Sequence, residues 1–225
     1  MRHQDKGLID RDVSLNFQFN GKPFKGFKGD TLASALLANN QILVGRSFKY
    51  HRPRGVMTAG SEEPNALVTV KRAGSLEPNT RATVQPLYEG LIAQSQNAWP
   101  TLRYDLLSIN NYLSPFLAAG FYYKTFMWPR AFWEMLYEPL IRRAAGLGSL
   151  GLDFNNDLYE KAFAHCDVLI IGAGPSGLMA AWTAAHAGLD VILVDENNRA
   201  GGRLLSEGEE VGGKFGYVWA SDIIK

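Results

Sequence analysis

Apolar and polar residues alternate from Val13 to Phe19: Val13, Leu15, Phe17 and Phe19 fall on one face, Ser14, Asn16 and Gln18 on the other. A two-residue period of this kind predicts a half-buried strand. Asn20-Gly21 follows, a strong short-range hairpin signal because both residues tolerate positive φ, and Lys22–Phe27 reads as the return strand. The period then changes. Asp30 or Thr31 is positioned to cap a helix over Leu32–Asn39, with Leu32, Ala35, Leu36 and Leu37 as its buried positions. Strand, hairpin, strand and helix in that order open a small β-grasp domain.

Periodicity fades over Val44–Glu63, a stretch rich in Gly, Arg, Lys and Pro. It reads as a long ordered loop, and long loops in compact domains tend to carry function. Short strands are expected at Ala66–Val70 and Val84–Leu91. Asn97–Tyr137 is crowded with aromatic residues without a clean helical period. Core packing and subunit contact are both open for it, because aromatic side chains dominate both settings. Helical pieces are expected over Arg130–Ala145, stopped by Gly146 or Gly148, and Gly148–Asn156 has the composition of a linker.

From Asp167 the pattern is continuous rather than alternating. Asp167-Val-Leu-Ile-Ile171 is an apolar run of the kind found in a parallel strand buried on both faces. Gly172-Ala-Gly-Pro-Ser-Gly177 follows, then an Ala-rich helix over Leu178–Ala187, Gly188, and a second strand, Val191–Val194, ending at Asp195. This is the start of a Rossmann-type unit. Gly172 permits the tight turn, Gly174 lets the backbone approach a pyrophosphate, and Gly177 lets the helix pack on the strand. Ser176 sits in the same turn, where N–H groups at the helix N-terminus face an anion. Asp195 lies eighteen residues after Gly177. A carboxylate there accepts hydrogen bonds from ribose hydroxyls and repels a 2′-phosphate, which favours NAD or FAD over NADP. Glu196 and Asn197 either line the adenosine end or are merely solvated. Gly202 and Arg203, in the Gly201-Gly202-Arg203 turn, extend the candidate site.

Composition narrows the function classes. The 225 residues carry a net charge of +1, so no global field favours nucleic acid or a membrane surface. The N-terminus has no apolar core of a secretory signal, and the cytoplasm is the expected location. The single cysteine, Cys166, cannot form an internal disulfide or hold an iron–sulfur cluster alone, and reads as a small core residue. His165 beside it has no third group to orient a nucleophile, so no catalytic and no metal residue is assigned. Arg46, Lys49, His51, Arg52 and Arg54 form a basic loop. Its guanidiniums either meet an anionic cofactor or partner or satisfy backbone carbonyls within the loop.

Several stretches together resemble one family: Gly29-Asp-Thr-Leu-Ala-Ser-Ala-Leu-Leu-Ala38, Gly45-Arg-Ser-Phe-Lys-Tyr-His-Arg-Pro-Arg-Gly55, Gly60-Ser-Glu-Glu-Pro-Asn-Ala66, Gln96-Asn-Ala-Trp-Pro100, Ala119-Gly-Phe-Tyr-Tyr-Lys-Thr-Phe-Met-Trp-Pro129 and Ala144-Ala-Gly-Leu-Gly148, followed by His165-Cys-Asp-Val and the glycine turn. They look like the α subunits of heterotetrameric sarcosine oxidases, from Val13 onward. The resemblance implies a mixed α/β chain (α+β overall). Residues 1–98 would be a [2Fe–2S] ferredoxin-like β-grasp domain without cluster cysteines, residues 99–165 an aromatic-rich helical connector, and residues 166–225 the N-terminal part of a Rossmann-type FAD/NAD(P)-binding domain. It further implies NAD bound by this subunit, with FAD and FMN mainly on a β subunit that oxidises sarcosine to glycine. The products beside glycine would be formaldehyde or 5,10-methylenetetrahydrofolate, and peroxide. Tetrahydrofolate would be handled by a C-terminal part, and β, γ and δ subunits would be the partners. Since the sequence ends at Lys225, just past the Gly-Gly pair, it is expected to be part of a longer subunit. The alternatives are a subunit of a related amine or imino-acid dehydrogenase, disfavoured by the missing cluster cysteines, and a non-catalytic interaction module.

Overall fold

A computed structural model describes residues 8–72, 75–124, 126–146, 148 and 158–225. It divides into two units, residues 1–156 and 157–225.

The first unit is built on a five-stranded mixed sheet. Strands β1 (Asp10–Phe19) and β2 (Lys22–Lys28) form the expected hairpin, with Asn20 and Gly21 both at positive φ. Helix α1 (Leu32–Ala38) follows, and Thr31 caps it: its hydroxyl accepts from Ser34 N–H while the Ser34 hydroxyl accepts from Thr31 N–H. Two-residue strands β3 (Gly45–Arg46) and β4 (Pro53–Arg54) pair inside the long loop, and a 3-10 turn spans Gly60–Glu62. Strands β5 (Leu67–Arg72), β6 (Ser75–Arg81) and β7 (Leu91–Ser95) complete the sheet in the order β2-β1-β7-β5-β6. Strand β1 runs parallel to β7, with Phe17 opposite Leu91, and every other pairing is antiparallel. This is the ferredoxin-like β-grasp arrangement. Its core gathers Phe17, Phe19, Val68, Val70, Leu91 and Ala93 from the sheet against Leu32, Ala33, Ala35 and Leu36 of α1.

Several expectations change here. Leu37 and Val13 are exposed, and Ala33 takes the helix position that Leu37 was expected to hold. No strand forms over 84–90. The carbonyls of Ala82 and Gln85 instead accept from Ala33 and Leu32 N–H, satisfying the first donors of α1, and Leu87 N–H goes to Asp30 O. Strand β6 escaped notice because it contains Pro78 and Asn79. It is an edge strand, where a missing ladder donor is tolerated.

The rest of this unit has a 3-10 segment at Leu106–Asn111, a short helix α2 (Phe121–Lys124), a π turn at Trp133–Tyr137 and helix α3 (Glu138–Ala145), which Gly146 closes in the left-handed conformation as expected. The aromatic stretch divides. Phe121, Phe126, Phe132 and Tyr137 pack ring to ring, whereas Trp99, Tyr104, Tyr112, Phe116 and Trp128 are exposed. Apart from Gly148, the expected linker lies outside the described residues.

In the second unit, β8 (Val168–Ile171), α4 (Pro175–His186) and β9 (Val191–Val194) form a β-α-β unit with the strands parallel and in register, Val168 opposite Val191 and Ile171 opposite Val194. A 3-10 turn (Gly202–Leu205), a small hairpin of β10 (Glu210–Val211) and β11 (Lys214–Phe215), and helix α5 (Gly216–Ile223) follow. The C-terminal hairpin and α5 add to the two strands and one helix read from sequence. Leu178, Leu204 and Ala220 form the core of this unit. Burial of β8 on both faces is not realised: Ile171 is 81% exposed, and Leu169 and Val194 are exposed too. A sheet of two strands leaves one face without a covering layer. Cys166 is half-buried rather than a core residue.

Candidate functional site

The glycine turn joins β8 to α4. Gly172 has φ +100, a conformation open to glycine and costly for other residues, and its N–H donates to Val194 O at 2.7 Å, locking the turn to the end of β9. At Gly177 a Cβ would sit 1.8 Å from Gly172 O. This glycine is required by the contact between helix and strand, as the fingerprint expects. Gly174 differs: it is the N-cap of α4 with ordinary φ, and a Cβ there would meet nothing within 4 Å. The space over Gly174 is the cradle the sequence assigned to a pyrophosphate.

Helix geometry supplies the donors. The first bond within α4 runs from Leu178 N–H to Gly174 O at 2.9 Å. The N–H groups of Ser176 and Gly177 precede it and have no acceptor within the helix. Pro175 at the first position has no N–H to waste. The Ser176 side chain is exposed beside them.

Asp195 stands at the end of β9. Its Oδ2 accepts from Ala173 N–H at 2.6 Å, and its Oδ1 accepts from the backbone N–H and side-chain amide of Asn197, both at 2.8 Å. Burial works to raise its pKa, but these hydrogen bonds outweigh it and hold the carboxyl below the usual aspartate range. The carboxylate therefore fastens the glycine turn to the second strand, a role the sequence reading did not assign, and keeps its charge at neutral pH. Asn197 orients Asp195, and Glu196 is exposed beside it. The Gly-Gly pair closes the other side. Gly201 N–H donates to Ala173 O at 2.7 Å, and a Cβ on Gly202, at φ +52, would lie 3.0 Å from Gly174 Cα. Arg203 is exposed and paired with Glu207 one helical turn on. The structure thus brings Gly172, Gly174, Ser176, Gly177, Asp195, Asn197 and Gly202 around one turn, with Glu196 and Arg203 at its margin. The signal missed in the sequence was Ala173, whose N–H and C=O tie the turn to both neighbouring loops.

The basic loop of the first unit resolves mostly in favour of internal contacts. Arg46 donates to the carbonyls of Leu102, His51 and Arg103. His51 is fully buried, with Nδ1 2.7 Å from Asp105 Oδ2, and Asp105 Oδ1 accepts from Trp99 and Leu107 N–H. Tyr50 donates to Leu117 O, and Arg52 donates to Asn111 and lies over the Tyr50 ring. Lys49 lies over the Tyr50 and Phe121 rings, and the exterior reading is kept by Arg54, exposed on β4. No helix among the described residues is long and apolar enough to cross a membrane.

Residues 12–98 match a family described as a 2Fe-2S iron-sulfur cluster binding domain, and residues 167–213 one described as FAD dependent oxidoreductase. The chain is 63% identical, over 96% of its length, to the sarcosine oxidase subunit alpha of Rhizobium meliloti (strain 1021), of which it spans 22%. To the sarcosine oxidase subunit alpha of Corynebacterium sp. (strain P-1) it is 34% identical over 94% of its length, spanning 17% of that relative. Among solved structures, L-proline dehydrogenase from P. horikoshii is similar in fold, with a TM-score of 0.50 at 20% identity, covering 96% of this chain and 31% of that one. The donor set does not fit the cluster named in the first description. Residues 12–98 contain no cysteine, and the one thiol of the chain, Cys166, lies outside them.

Proposed function

The chain belongs to the sarcosine oxidase α-subunit family along nearly its whole length, within the oxidoreductases, and on that premise we propose that its second unit binds the ADP half of a dinucleotide, NAD in the first reading. The pyrophosphate lies over Gly174 on the Ser176 and Gly177 N–H groups, and Asp195 faces the ribose hydroxyls with Glu196, Asn197, Gly202 and Arg203 around them. The observation that carries this is the backbone of Gly174, where a Cβ would enter open space at the mouth of two N–H donors, next to a carboxylate that stays ionised. The chain would serve as the nucleotide-binding and assembly part of a complex with β, γ and δ subunits. That complex oxidatively demethylates sarcosine to glycine, yielding peroxide and either formaldehyde or methylenetetrahydrofolate. Amine chemistry takes place on another chain and needs no catalytic residue from this one.

A second reading, FAD at the same turn, is favoured by the FAD-dependent oxidoreductase description of residues 167–213. The two dinucleotides share the ADP half and differ beyond it. Denaturing release of cofactor from the assembled complex, followed by mass spectrometry, separates them when this subunit's turn is disrupted in parallel. Loss of NAD on disruption supports the first reading and loss of FAD the second. Full retention of every nucleotide overturns both.

A further inference from the structure

The loop from Gln41 to Ala66 connects α1 to β5 with only two-residue strands and one 3-10 turn inside it. A connection of that length in a compact domain needs something to hold it. Its last third, Met57 to Ala66, closes on Glu63, whose side chain is almost wholly buried, at 1% exposure, while its neighbour Glu62 is exposed. The Glu63 carboxylate accepts four backbone N–H bonds. Oε2 takes Met57 and Thr58, both at 2.7 Å, and Oε1 takes Asn65 and Ala66, at 2.7 and 3.0 Å. The chain wraps around one anion, with donors converging from both sides of it.

That arrangement is what a bound anionic centre would impose, with the centre supplied by a side chain. Four N–H groups converging on one point need an acceptor there, and leaving them without one is costly. Charge-assisted bonds to a carboxylate are the stronger kind. Thr83 adds an outer tie, its hydroxyl donating to Gly60 O at 2.6 Å. The same unit matches a domain family described by an iron–sulfur cluster and has no thiolate to bind one.

We infer that Glu63 is a built-in anion that organises this loop, so that the unit folds around a carboxylate and takes up neither iron nor sulfide. The inference goes beyond the nucleotide reading and is independent of it, since Glu63 and the glycine turn belong to different units.

Hydrogen exchange on the full chain, wild type against Glu63→Gln and Glu63→Asp, tests it. A glutamine has one oxygen and one N–H₂ group, so it satisfies one pair of amides and confronts the other with a donor. Glu63→Gln should accelerate exchange about 10- to 100-fold at one pair, Met57 with Thr58 or Asn65 with Ala66, and much less at the other. Glu63→Asp, a methylene shorter, should loosen both pairs while keeping the charge. A general loss of structure would release all four equally, along with the sheet, and the pairwise split separates the two. Should Glu63→Gln fail to fold, the wild type still decides: the four amides must be among the slowest in the loop. Iron and acid-labile sulfide, measured after anaerobic, iron-replete expression, should fall far below one per chain. Unprotected amides in the wild type, unchanged exchange in Glu63→Gln, or stoichiometric iron and sulfide would each overturn the inference.

Discussion

Gly174 and Gly177 lie three residues apart in one turn, and the structure gives them opposite consequences when each is replaced by alanine. At Gly177 the new Cβ would stand 1.8 Å from Gly172 O, and moving it to 3.0 Å requires a displacement of about 1.2 Å. The obstacle is backbone at the end of β8, held by its own hydrogen bond to Val194, so no flexible side chain can yield. Overpacking against such a neighbour costs about 2 kcal/mol. For a unit of this size that corresponds to a fall of roughly 8–16 °C in its melting step. At Gly174 the φ of −74° suits any residue and nothing lies within 4 Å of the new methyl, so stability should change by less than about 0.5 kcal/mol. The methyl would instead occupy the space assigned to the pyrophosphate, and nucleotide affinity should fall about 10- to 100-fold, near 1.4–2.8 kcal/mol. Differential scanning calorimetry without nucleotide, together with titration of NAD into the assembled protein, reads both quantities. If Gly174→Ala melts as early as Gly177→Ala, or binds NAD as well as the wild type, the division of labour between the two glycines is wrong.

Other perturbations have equally definite outcomes. Asp105→Ala removes a partner of a fully buried histidine and the acceptor of two backbone N–H groups, and should cost the first unit about 3–5 kcal/mol, seen as a lower denaturant midpoint. Asp195→Ala frees the Ala173 N–H and removes the proposed ribose acceptor, so the NAD titration should weaken by more than tenfold while α4 keeps its circular dichroism signal. Burial raises the Glu63 pKa, but its four backbone hydrogen bonds outweigh this and leave it lowered. A depressed carboxyl contributes stability that is complete above its unfolded value and lost as pH falls through its folded value. Acid titration of the melting temperature should therefore show a loss for the first unit, below the usual glutamate range, that Glu63→Gln abolishes. A wild-type curve flat through that range would contradict the assignment.

The elements legible in the sequence were those whose cause is local. Alternation over Val13–Phe19, the Asn20-Gly21 turn, the Thr31 cap, the Gly146 stop and the glycine turn between two apolar strands each rest on backbone sterics or on a period of two or 3.6 residues. They appear where the pattern put them. The fingerprint spacing likewise brought Gly172, Gly174, Gly177 and Asp195 together, because a β-α-β unit fixes their separation. What the pattern could not carry was the choice between neighbours and the use of backbone groups at a distance. Glu62 and Glu63 are indistinguishable in the sequence, yet one is solvated and the other receives four N–H bonds. Val84–Leu91 reads as a strand, but the carbonyls of Ala82 and Gln85 and the N–H of Leu87 bond instead to the start of α1, a segment some fifty residues earlier. The basic residues of 46–54 stay open between an exterior and an internal role in the sequence, until Asp105 and the carbonyls near Leu102 arrive from across the unit to bury His51 and fix Arg46. Local sterics are written in consecutive residues. The pairing of a buried charge is decided only when distant segments meet, because burying it costs too much until its partners are in place.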